Sequence, residues 1–421
     1  MRTTLRARLI APVALAALAL TISPAQAAAA PVAGSDAQAT TWAAHFLATQ
    51  LAANEHFFNT PPSPYGTAPD TGNTIDAVIA LAGATQGGTE AAAVTGWLQG
   101  QAAGYVSYTD TWSSDTPATY DMGGSLGKLT VLAVVQQQDP SAFGGVDLIS
   151  RLKALKTPSG RFGTGANDFG VTINQAWAIL GLARSGQVVA PAEVDYLKAQ
   201  QCADGGVSKD LDAAPCVSDV DATAFAAQAF LAAGDSAAAD RALDHLQAIQ
   251  AADGSFQNSS GEGANSNSTG VAAQAFAAGG RTAPLALANA FVRSLQWGCD
   301  VPEADRGGLA FTASKMAINE ANVAWAIRAT PQALLGLSGG SLVTVSNAGQ
   351  APATTAMDCT PVTEPTDTPT TTPESTTTIP PTAAPMLAET GKDVSVPVTL
   401  GAVLVLLGAA LIGLRRRGLH S

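Results

Sequence analysis

The stretch Gln250-Ala251-Ala252-Asp253-Gly254-Ser255-Phe256 decides the fold, because the chain returns to this pattern several times. Gln201-Cys202-Ala203-Asp204-Gly205-Gly206 has the same form. Ser159-Gly160-Arg161-Phe162 and Asp305-Arg306-Gly307-Gly308-Leu309 are looser counterparts. An Asp-Gly pair supplies the backbone freedom that a chain needs after a helix ends. Each stretch is therefore predicted to be a turn that follows one helix and leads toward the next.

A Gln-Ala-apolar triplet recurs between these turns. Four segments carry it: Gln175-Ala176-Trp177, Gln228-Ala229-Phe230, Gln274-Ala275-Phe276 and Gln332-Ala333-Leu334. Two earlier segments fit with substitutions, Asp76-Ala77-Val78 and Lys128-Leu129-Thr130. Successive units are about 45–60 residues apart, which is the length of a repeat built from a pair of helices.

The repeat predicts about six helix pairs in one domain over residues 35–350. The second helix of each pair is rich in small apolar residues, which indicates burial on all sides. These helices are expected near 72–85, 123–137, 170–185, 219–233, 266–279 and 320–337. The first helices are amphipathic and are expected near 36–57, 88–101, 145–156, 191–201, 236–250 and 285–296. Buried helices inside a ring of amphipathic helices describe an all-α fold, an α/α toroid.

The Gln-x-x-Asp-Gly-x-Phe turns resemble the repeat of terpenoid cyclases and protein prenyltransferase β-subunits, over most of residues 40–340. Ser218-Asp219-Val220-Asp221-Ala222-Thr223-Ala224 is similar to the Asp-x-Asp-Asp-Thr-Ala motif of squalene–hopene-type cyclases. That resemblance implies a proton-donating role for Asp221, although Ala222 replaces the third aspartate. The alternative is that Asp219 or Asp221 is a helix N-cap. The prenyltransferase zinc site is not expected, because no histidine follows Cys299-Asp300 until His420. We expect no metal or cofactor.

Residues that break the repeat are the better candidates for function. The recurring glutamines could form a polar ring around a cavity, but packing between helices is the simpler explanation. A group of aromatic and acidic residues interrupts the pattern and could bind a sugar or a cation, or be only a solvated loop: Tyr105, Tyr108, Trp112, Tyr120 and Asp121. A second candidate is an acidic loop that Cys202 and Cys216 partly enclose. Its oxygen ligands would suit Ca²⁺, but their spacing matches no EF-hand: Asp204, Asp210, Asp212, Asp219 and Asp221.

The four cysteines are Cys202, Cys216, Cys299 and Cys359. An even number in an exported protein predicts two disulfides. Three pairings are possible, and Cys202–Cys216 with Cys299–Cys359 is the most local of them.

Both chain ends predict export. Residues 1–27 have a basic start, an apolar run and the small-x-small site Ala25-Gln26-Ala27, the pattern of a secretory signal peptide. Residues 351–386 are rich in Pro and Thr, which predicts an extended stalk. The apolar run 394–414 is long enough to span a membrane and is followed by three arginines, which favour the cytoplasmic side.

Residues 387–421 as a whole resemble a sortase sorting signal of the Leu-Ala-x-Thr-Gly type found in actinobacteria. Its pentapeptide is Leu387-Ala388-Glu389-Thr390-Gly391. The resemblance implies cleavage after Thr390 and attachment to peptidoglycan, so that sortase and the cell wall are the expected partners. An ordinary C-terminal membrane anchor is the alternative. In either case the domain faces outward.

Composition narrows the possible functions. The formal net charge is −12, which disfavours binding to nucleic acid and other polyanions. Three hypotheses remain: a displayed, non-catalytic toroid that binds an unknown ligand or partner; an enzyme on the same scaffold, either a degenerate terpenoid cyclase or a glycan-active protein; and a structural wall protein whose centre is filled.

Overall fold

The computed structural model describes residues 34–60, 67–111, 118–164, 169–259 and 261–360. Six helices in these ranges are buried almost throughout and contact one another in a closed ring, in which α12 returns to α2. They are α2 (Thr71–Gly83), α4 (Gly123–Val135), α6 (Thr172–Arg184), α8 (Val220–Ala233), α10 (Ser266–Ala278) and α12 (Glu320–Leu337). Closure of the ring identifies the domain as an α/α toroid.

Six further helices pack around the outside of this ring. They are α1 (Asp36–Ala53), α3 (Gly88–Tyr105), α5 (Leu148–Ala154), α7 (Pro191–Lys198), α9 (Ser236–Ile249) and α11 (Thr282–Ser294). Each buries one face only, as in α9, where Leu243 and Leu246 are buried while Asp240 and Asp244 are exposed. The predicted arrangement of inner and outer helices is confirmed.

Threonine hydroxyls join the turns to the inner helices. Thr223 Oγ1 accepts the backbone N–H of Val207 at 2.8 Å, and Thr269 Oγ1 accepts that of Phe256 at 2.9 Å. Thr74 and Thr330 do the same for Phe58 and Leu309, each at 3.0 Å. The buried threonine, rather than the glutamine of the repeated triplet, marks equivalent places in these four units.

Glycines allow α4 and α6 to pack closely. A Cβ atom on Gly127 would lie 2.1 Å from the carbonyl oxygen of Trp177, and one on Gly181 would lie 2.7 Å from the Cα of Gly127. Neither distance is sterically possible for real atoms. The two helix backbones therefore touch.

Two short hairpins interrupt the helices. Strands β1 (Ser107–Asp110) and β2 (Ala118–Asp121) are antiparallel, and so are β3 (Val207–Ser208) and β4 (Ser218–Asp219). The second hairpin leads directly into α8 and is closed by the disulfide Cys202–Cys216. The fold is thus helical with small β additions that the sequence pattern did not predict.

The chain after α12 packs against the toroid as far as Thr360, including residues 351–360, which the sequence pattern assigned to a stalk. Leu342 donates its backbone N–H to Gln228 Oε1, and Arg184 donates to the carbonyls of Leu342 and Val345. The backbone N–H of Gly88 donates to the carbonyl of Ala351. The disulfide Cys299–Cys359 then ties this segment to the ring. Together the two disulfides are the most local of the three possible pairings of the four cysteines.

In the described part of the chain, no helix combines the length and apolar character needed to cross a bilayer. Three predicted segments lie outside the described residues: the signal peptide, the sorting signal with Leu387, Ala388, Glu389, Thr390 and Gly391, and the apolar run 394–414.

Candidate functional site

A polar bowl of about 490 Å³ opens at the end of the toroid where the inner helices begin. Its size is within the range of ordinary ligand sites. Four inner helices and the loops before α10 and α12 contribute its walls. The bowl is lined by Asp70, Gly72, Asn73, Asp76, Lys128, Asn258, Glu262, Asn267, Phe311, Trp325, Arg328, Ala329 and Gln332.

An ion pair with attached amides crosses the floor of the bowl. The Lys128 ammonium donates to Asp76 Oδ2 at 2.8 Å, and these side chains are only 13% and 11% exposed. Gln332 Nε2 donates to the same carboxylate oxygen at 3.2 Å, and Asn267 Nδ2 donates to Gln332 Oε1 at 2.9 Å. These four side chains come from α2, α4, α10 and α12, so ring closure is what assembles them.

Burial and charge act against each other at Lys128. Burial, the largest single effect, would lower the pKa of the ammonium, but the charges and the hydrogen bond around it, those of Asp76 foremost, together raise it. The ammonium also lies 5.4 Å from the ring centroid of Trp177, a cation–π contact. Burial raises the pKa of the Tyr105 phenol, and the nearby Lys128 ammonium offsets part of this increase. At neutral pH the floor therefore holds a charged lysine beside an un-ionised phenol.

Below this floor the axis of the toroid is filled. Trp177 and Phe225 meet with ring centroids 5.4 Å apart, and Leu342 reaches the axis from the C-terminal segment. The space remaining there is about 10 Å³, too little for more than one water molecule. Among the described residues the bowl is consequently shallow, and the space along its axis is too small for a hydrocarbon chain.

An aromatic wall rises on one side of the bowl. Phe311 stacks on Trp325 with a centroid distance of 4.7 Å, and the Lys315 ammonium lies 4.9 Å from the Trp325 ring. The guanidinium of Arg328, in the same helix as Trp325, is 3.8 Å from the carboxylate of Asp70. An apolar surface thus borders a floor of charges and amides.

Asp219 and Asp221 have different roles. Asp219 is the N-cap of α8, because its Oδ1 accepts the backbone N–H of Ala222 at 3.0 Å. Asp221 Oδ2 accepts instead from Asn258 Nδ2 at 3.1 Å, and Asn258 lines the bowl. Among the described residues nothing donates to the buried Asp221 Oδ1, and the Ser268 hydroxyl beside it makes no hydrogen bond of ordinary geometry either.

Burial raises the pKa of Asp221, although the Asn258 amide that donates to its Oδ2 offsets part of this increase. Asp221 is therefore not the helix cap of this motif. It is a buried carboxyl group with one oxygen left over, next to a residue of the bowl.

The four repeated glutamines do not form one polar ring. Gln175 donates to the carbonyl of Gly160, Gln228 accepts from the backbone of Leu342, and Gln274 donates to the carbonyl of Gln332. These three hold backbone segments together, as the packing interpretation predicted. Only Gln332 of the four presents its side chain to the bowl.

The aromatic and acidic group of the sequence is divided by the fold. Tyr108 and Tyr120 lie opposite each other in the β1–β2 hairpin, and Asp121 is paired with Arg151. Tyr105 ends α3, and its hydroxyl would lie 3.7 Å from a Cβ on Gly72, near Lys128. Trp112 lies outside the described residues. The structure brings Tyr105 close to Gly72 and Lys128 of the bowl and leaves Tyr108, Tyr120 and Asp121 at the hairpin.

The acidic loop closed by Cys202–Cys216 uses its carboxylates locally. Asp204 accepts from Ser218 Oγ at 2.7 Å, and Asp212 accepts from the Tyr196 hydroxyl at 2.8 Å. Nowhere in the described ranges do three or more His, Cys, Asp or Glu side chains come together as metal ligands could.

Asp76 and Lys128, the centre of the bowl, were not selected as candidates from the sequence. The signal was nevertheless present, since Asp76 lies two residues after the buried Thr74, where the units of Thr223 and Thr330 carry the uncharged Phe225 and Gln332. A charge at a repeat position that is otherwise neutral indicates a site on one side of the ring.

Neither the models of known protein families nor the sequences of curated proteins match this chain. Solved structures with a similar arrangement include ent-copalyl diphosphate synthase from Streptomyces platensis, at 20% identity and a TM-score of 0.39. The aligned part covers 63% of this chain and 50% of the synthase, so the chain spans about half of that protein.

Two glycan-related structures also align. Unsaturated glucuronyl hydrolase from Bacillus sp. GL1 has 12% identity and a TM-score of 0.48, covering 71% of this chain and 96% of the hydrolase. A glycosidase in complex with glucose has 14% identity and a TM-score of 0.48, covering 73% and 99%. Such distant likenesses transfer no activity, and the toroid is established by the closed ring of helices itself.

Proposed function

We propose that this protein is an exported, cell-wall-attached toroid that binds a polar, non-anionic saccharide in the bowl. The observation that carries the proposal is the floor, where Asp76, Lys128, Gln332 and Asn267 present paired charges and amides beside the Phe311–Trp325 wall. Amide and carboxylate groups that hydrogen-bond hydroxyls, next to an aromatic surface for C–H groups, suit a sugar ring.

Charge favours a neutral or amine-bearing ligand. Both basic residues of the bowl already have an acidic partner, Lys128 with Asp76 and Arg328 with Asp70. Glu262 adds a further negative charge to the lining. Together with the net charge of −12, this arrangement disfavours uronates, phosphates and diphosphates. The filled axis likewise disfavours a terpenoid substrate.

Display at the cell surface rests on two supports. The two disulfides indicate an oxidising, extracellular compartment. The resemblance of residues 387–421 to a sorting signal supports attachment to peptidoglycan by sortase after Thr390, with the apolar run holding the precursor in the membrane.

The binding test is a calorimetric titration of the full chain with the tetramer of glucosamine, repeated with the tetramer of galacturonic acid. We expect the amino sugar to bind and the uronate not to bind. Asn267→Leu should abolish the binding, because it removes an amide of the floor and buries Gln332 Oε1 unpaired. Asn322→Leu, an amide on α12 that does not line the bowl, is the matched control. Binding that survives Asn267→Leu would contradict the proposal.

A second candidate function is acid-catalysed cleavage of the bound saccharide. It is favoured by Asp221, because burial raises the pKa of its carboxyl group and so favours the protonated form, which could donate a proton. Asp221→Asn should then abolish release of reducing ends while leaving the affinity for the tetramer unchanged. If the tetramer binds but is never cleaved by the unmodified chain, the protein is a binding module without activity.

A further inference from the structure

A second concave site, a groove of about 510 Å³, lies at the other end of the toroid from the bowl. It runs between the outer helix α3, the residues that follow the C-terminal end of α4, and the C-terminal segment. The lining residues are Gly88, Thr89, Ala92, Thr95, Gly96, Gln99, Gln136, Gln138, Asn347, Gln350 and Pro352. We call it the carboxamide groove, because five of these side chains are amides and none carries a charge.

One of these amides has an unused donor. Gln136 is 7% exposed, and its Oε1 accepts from Asn347 Nδ2 at 3.3 Å. Among the described residues nothing accepts a hydrogen bond from its buried Nε2. A buried N–H group without an acceptor costs about 1–3 kcal/mol, so such groups in folded proteins are usually paired.

The neighbouring amides are held in place. Gln138 Nε2 donates to the carbonyl of Gln136 at 3.2 Å, and its Oε1 accepts from Gln99 Nε2 at 3.3 Å. Asn347 Oδ1 accepts from Gln137 Nε2 at 2.6 Å, and Gln350 Nε2 donates to the carbonyl of Gln86 at 2.7 Å. A ligand would therefore meet amides that are already ordered, which lowers the entropic cost of binding.

The opposite wall leaves room for a ligand. A Cβ atom added to Gly96 would have no heavy atom within 4 Å, so the surface of α3 is open where it faces the amides. Ordered, neutral amides opposite an open wall fit an uncharged ligand with many hydrogen-bonding oxygens better than they fit an ion.

We propose that the carboxamide groove binds an uncharged glycan. A hydroxyl or acetamido oxygen of the sugar accepts from Gln136 Nε2 once the Gln136 side chain turns toward the groove, because this nitrogen is buried in the free protein. This site is independent of the bowl, since the two share no lining residue. A wall-attached protein would then hold glycan chains at both ends of its ring.

The test follows the Gln136 side-chain amide by NMR in the full chain during titration with the tetramer of N-acetylglucosamine. We expect saturable shifts of both Nε2 protons. Gly96→Trp should abolish them, because the indole would occupy the groove. Gly100→Trp is the matched control: it also has open space around a Cβ, it lies one turn further along α3, and it does not line the groove.

A second variant tests the donor itself. Gln136→Leu keeps the size of the side chain and removes the amide, so binding measured by calorimetry should weaken about tenfold, the effect of one lost hydrogen bond. The same change at Gln187, which is not in the groove, should leave the affinity unchanged. The proposal is overturned if Gly96→Trp binds like the unmodified chain. It is also overturned if the Gln136 amide does not shift at about 20 mM tetramer, a concentration that would reveal even a Kd of that order. A failure here leaves the bowl and its Asn267→Leu test unaffected.

Discussion

The pair formed by Asp76 and Lys128 shows how two substituted residues can create a site in a repetitive scaffold. Each is nearly buried, and each satisfies the charge of the other at 2.8 Å. Removing one partner of a buried pair is costly, because the remaining charge keeps its desolvation penalty without its attraction.

We expect Lys128→Met to lower the free energy of unfolding by about 3 kcal/mol. Asp76 would stay buried, and among the described residues Gln332 alone would still donate to its side chain. Adding Asp76→Asn should restore most of that loss. Urea denaturation of the two single variants and the double variant measures the coupling. Lys153→Met, which removes an exposed ammonium bonded to Gln187, should change stability by less than about 0.5 kcal/mol. Additive effects of the two bowl substitutions would contradict the account.

The carboxyl group of Asp221 should make the free energy of unfolding depend on pH in a known direction. Burial raises the pKa of Asp221 in the folded protein. Its stabilising contribution is therefore complete below the pKa of an aspartate in the unfolded chain, and it is lost as the pH rises through the pKa of the folded state. Asp221→Asn removes this loss. The variant should therefore gain stability relative to the unmodified chain as the pH rises from about 4 toward neutrality.

Asp139→Asn should change the pH dependence of the free energy of unfolding in the opposite direction. The Ser141 hydroxyl and backbone N–H lower the pKa of Asp139, so its contribution is present above the unfolded value and is lost as the pH falls. Free energies of unfolding measured between pH 3 and 8 (roughly the range that spans these transitions) should diverge in opposite directions for the two variants. A pH-independent difference at Asp221 would show that its carboxyl is not desolvated.

At the level of the helices, the sequence was a good guide because local signals agreed with the periodicity. Asp70, Asp219 and Asn265 each cap the helix that the repeat predicted to start there. Acceptance of a backbone N–H by a short polar side chain is a local property and can be read from a few residues.

Contacts between helices could not be read in this way. Asp76 and Gln332 are far apart in the chain and meet only because α12 packs on α2 to close the ring. The backbone-to-backbone approach of α4 and α6 depends on glycines that the sequence alone does not distinguish from loop glycines. The repeated glutamines also do not all occupy equivalent positions in the inner helices. The buried threonines do.

The close approach of α4 and α6 can be tested at Gly127. Gly127→Ala should lower the free energy of unfolding by about 2 kcal/mol or more, because its methyl group would overlap the backbone of Trp177. Gly100→Ala, in an exposed part of α3 with open space around a Cβ, should instead raise it by up to about 1 kcal/mol. Thermal unfolding of both variants provides the comparison, and equal stabilisation by the two would show that α4 and α6 are not in backbone contact.

For the whole molecule, the disulfides act on different lengths of chain. Cys299–Cys359 closes 60 residues, including α12 and the aromatic wall of the bowl, whereas Cys202–Cys216 closes 14. Replacing Cys299 and Cys359 together by serine should lower the free energy of unfolding by roughly 4 kcal/mol, and replacing the other pair by roughly 3 kcal/mol, if chain entropy dominates.

Urea denaturation without reductant measures both losses. A smaller effect at the longer loop would mean that the packing of residues 341–360 holds the segment without the disulfide.

The central claim is that the bowl is a saccharide site, and a crystal structure of the full chain with the glucosamine tetramer tests it most directly. The account predicts a sugar ring in hydrogen-bonding contact with Asn267 and the Asp76–Gln332 floor, with its C–H face toward Trp325. A bowl without sugar at a saturating concentration, or a tetramer bound only in the carboxamide groove, would contradict it.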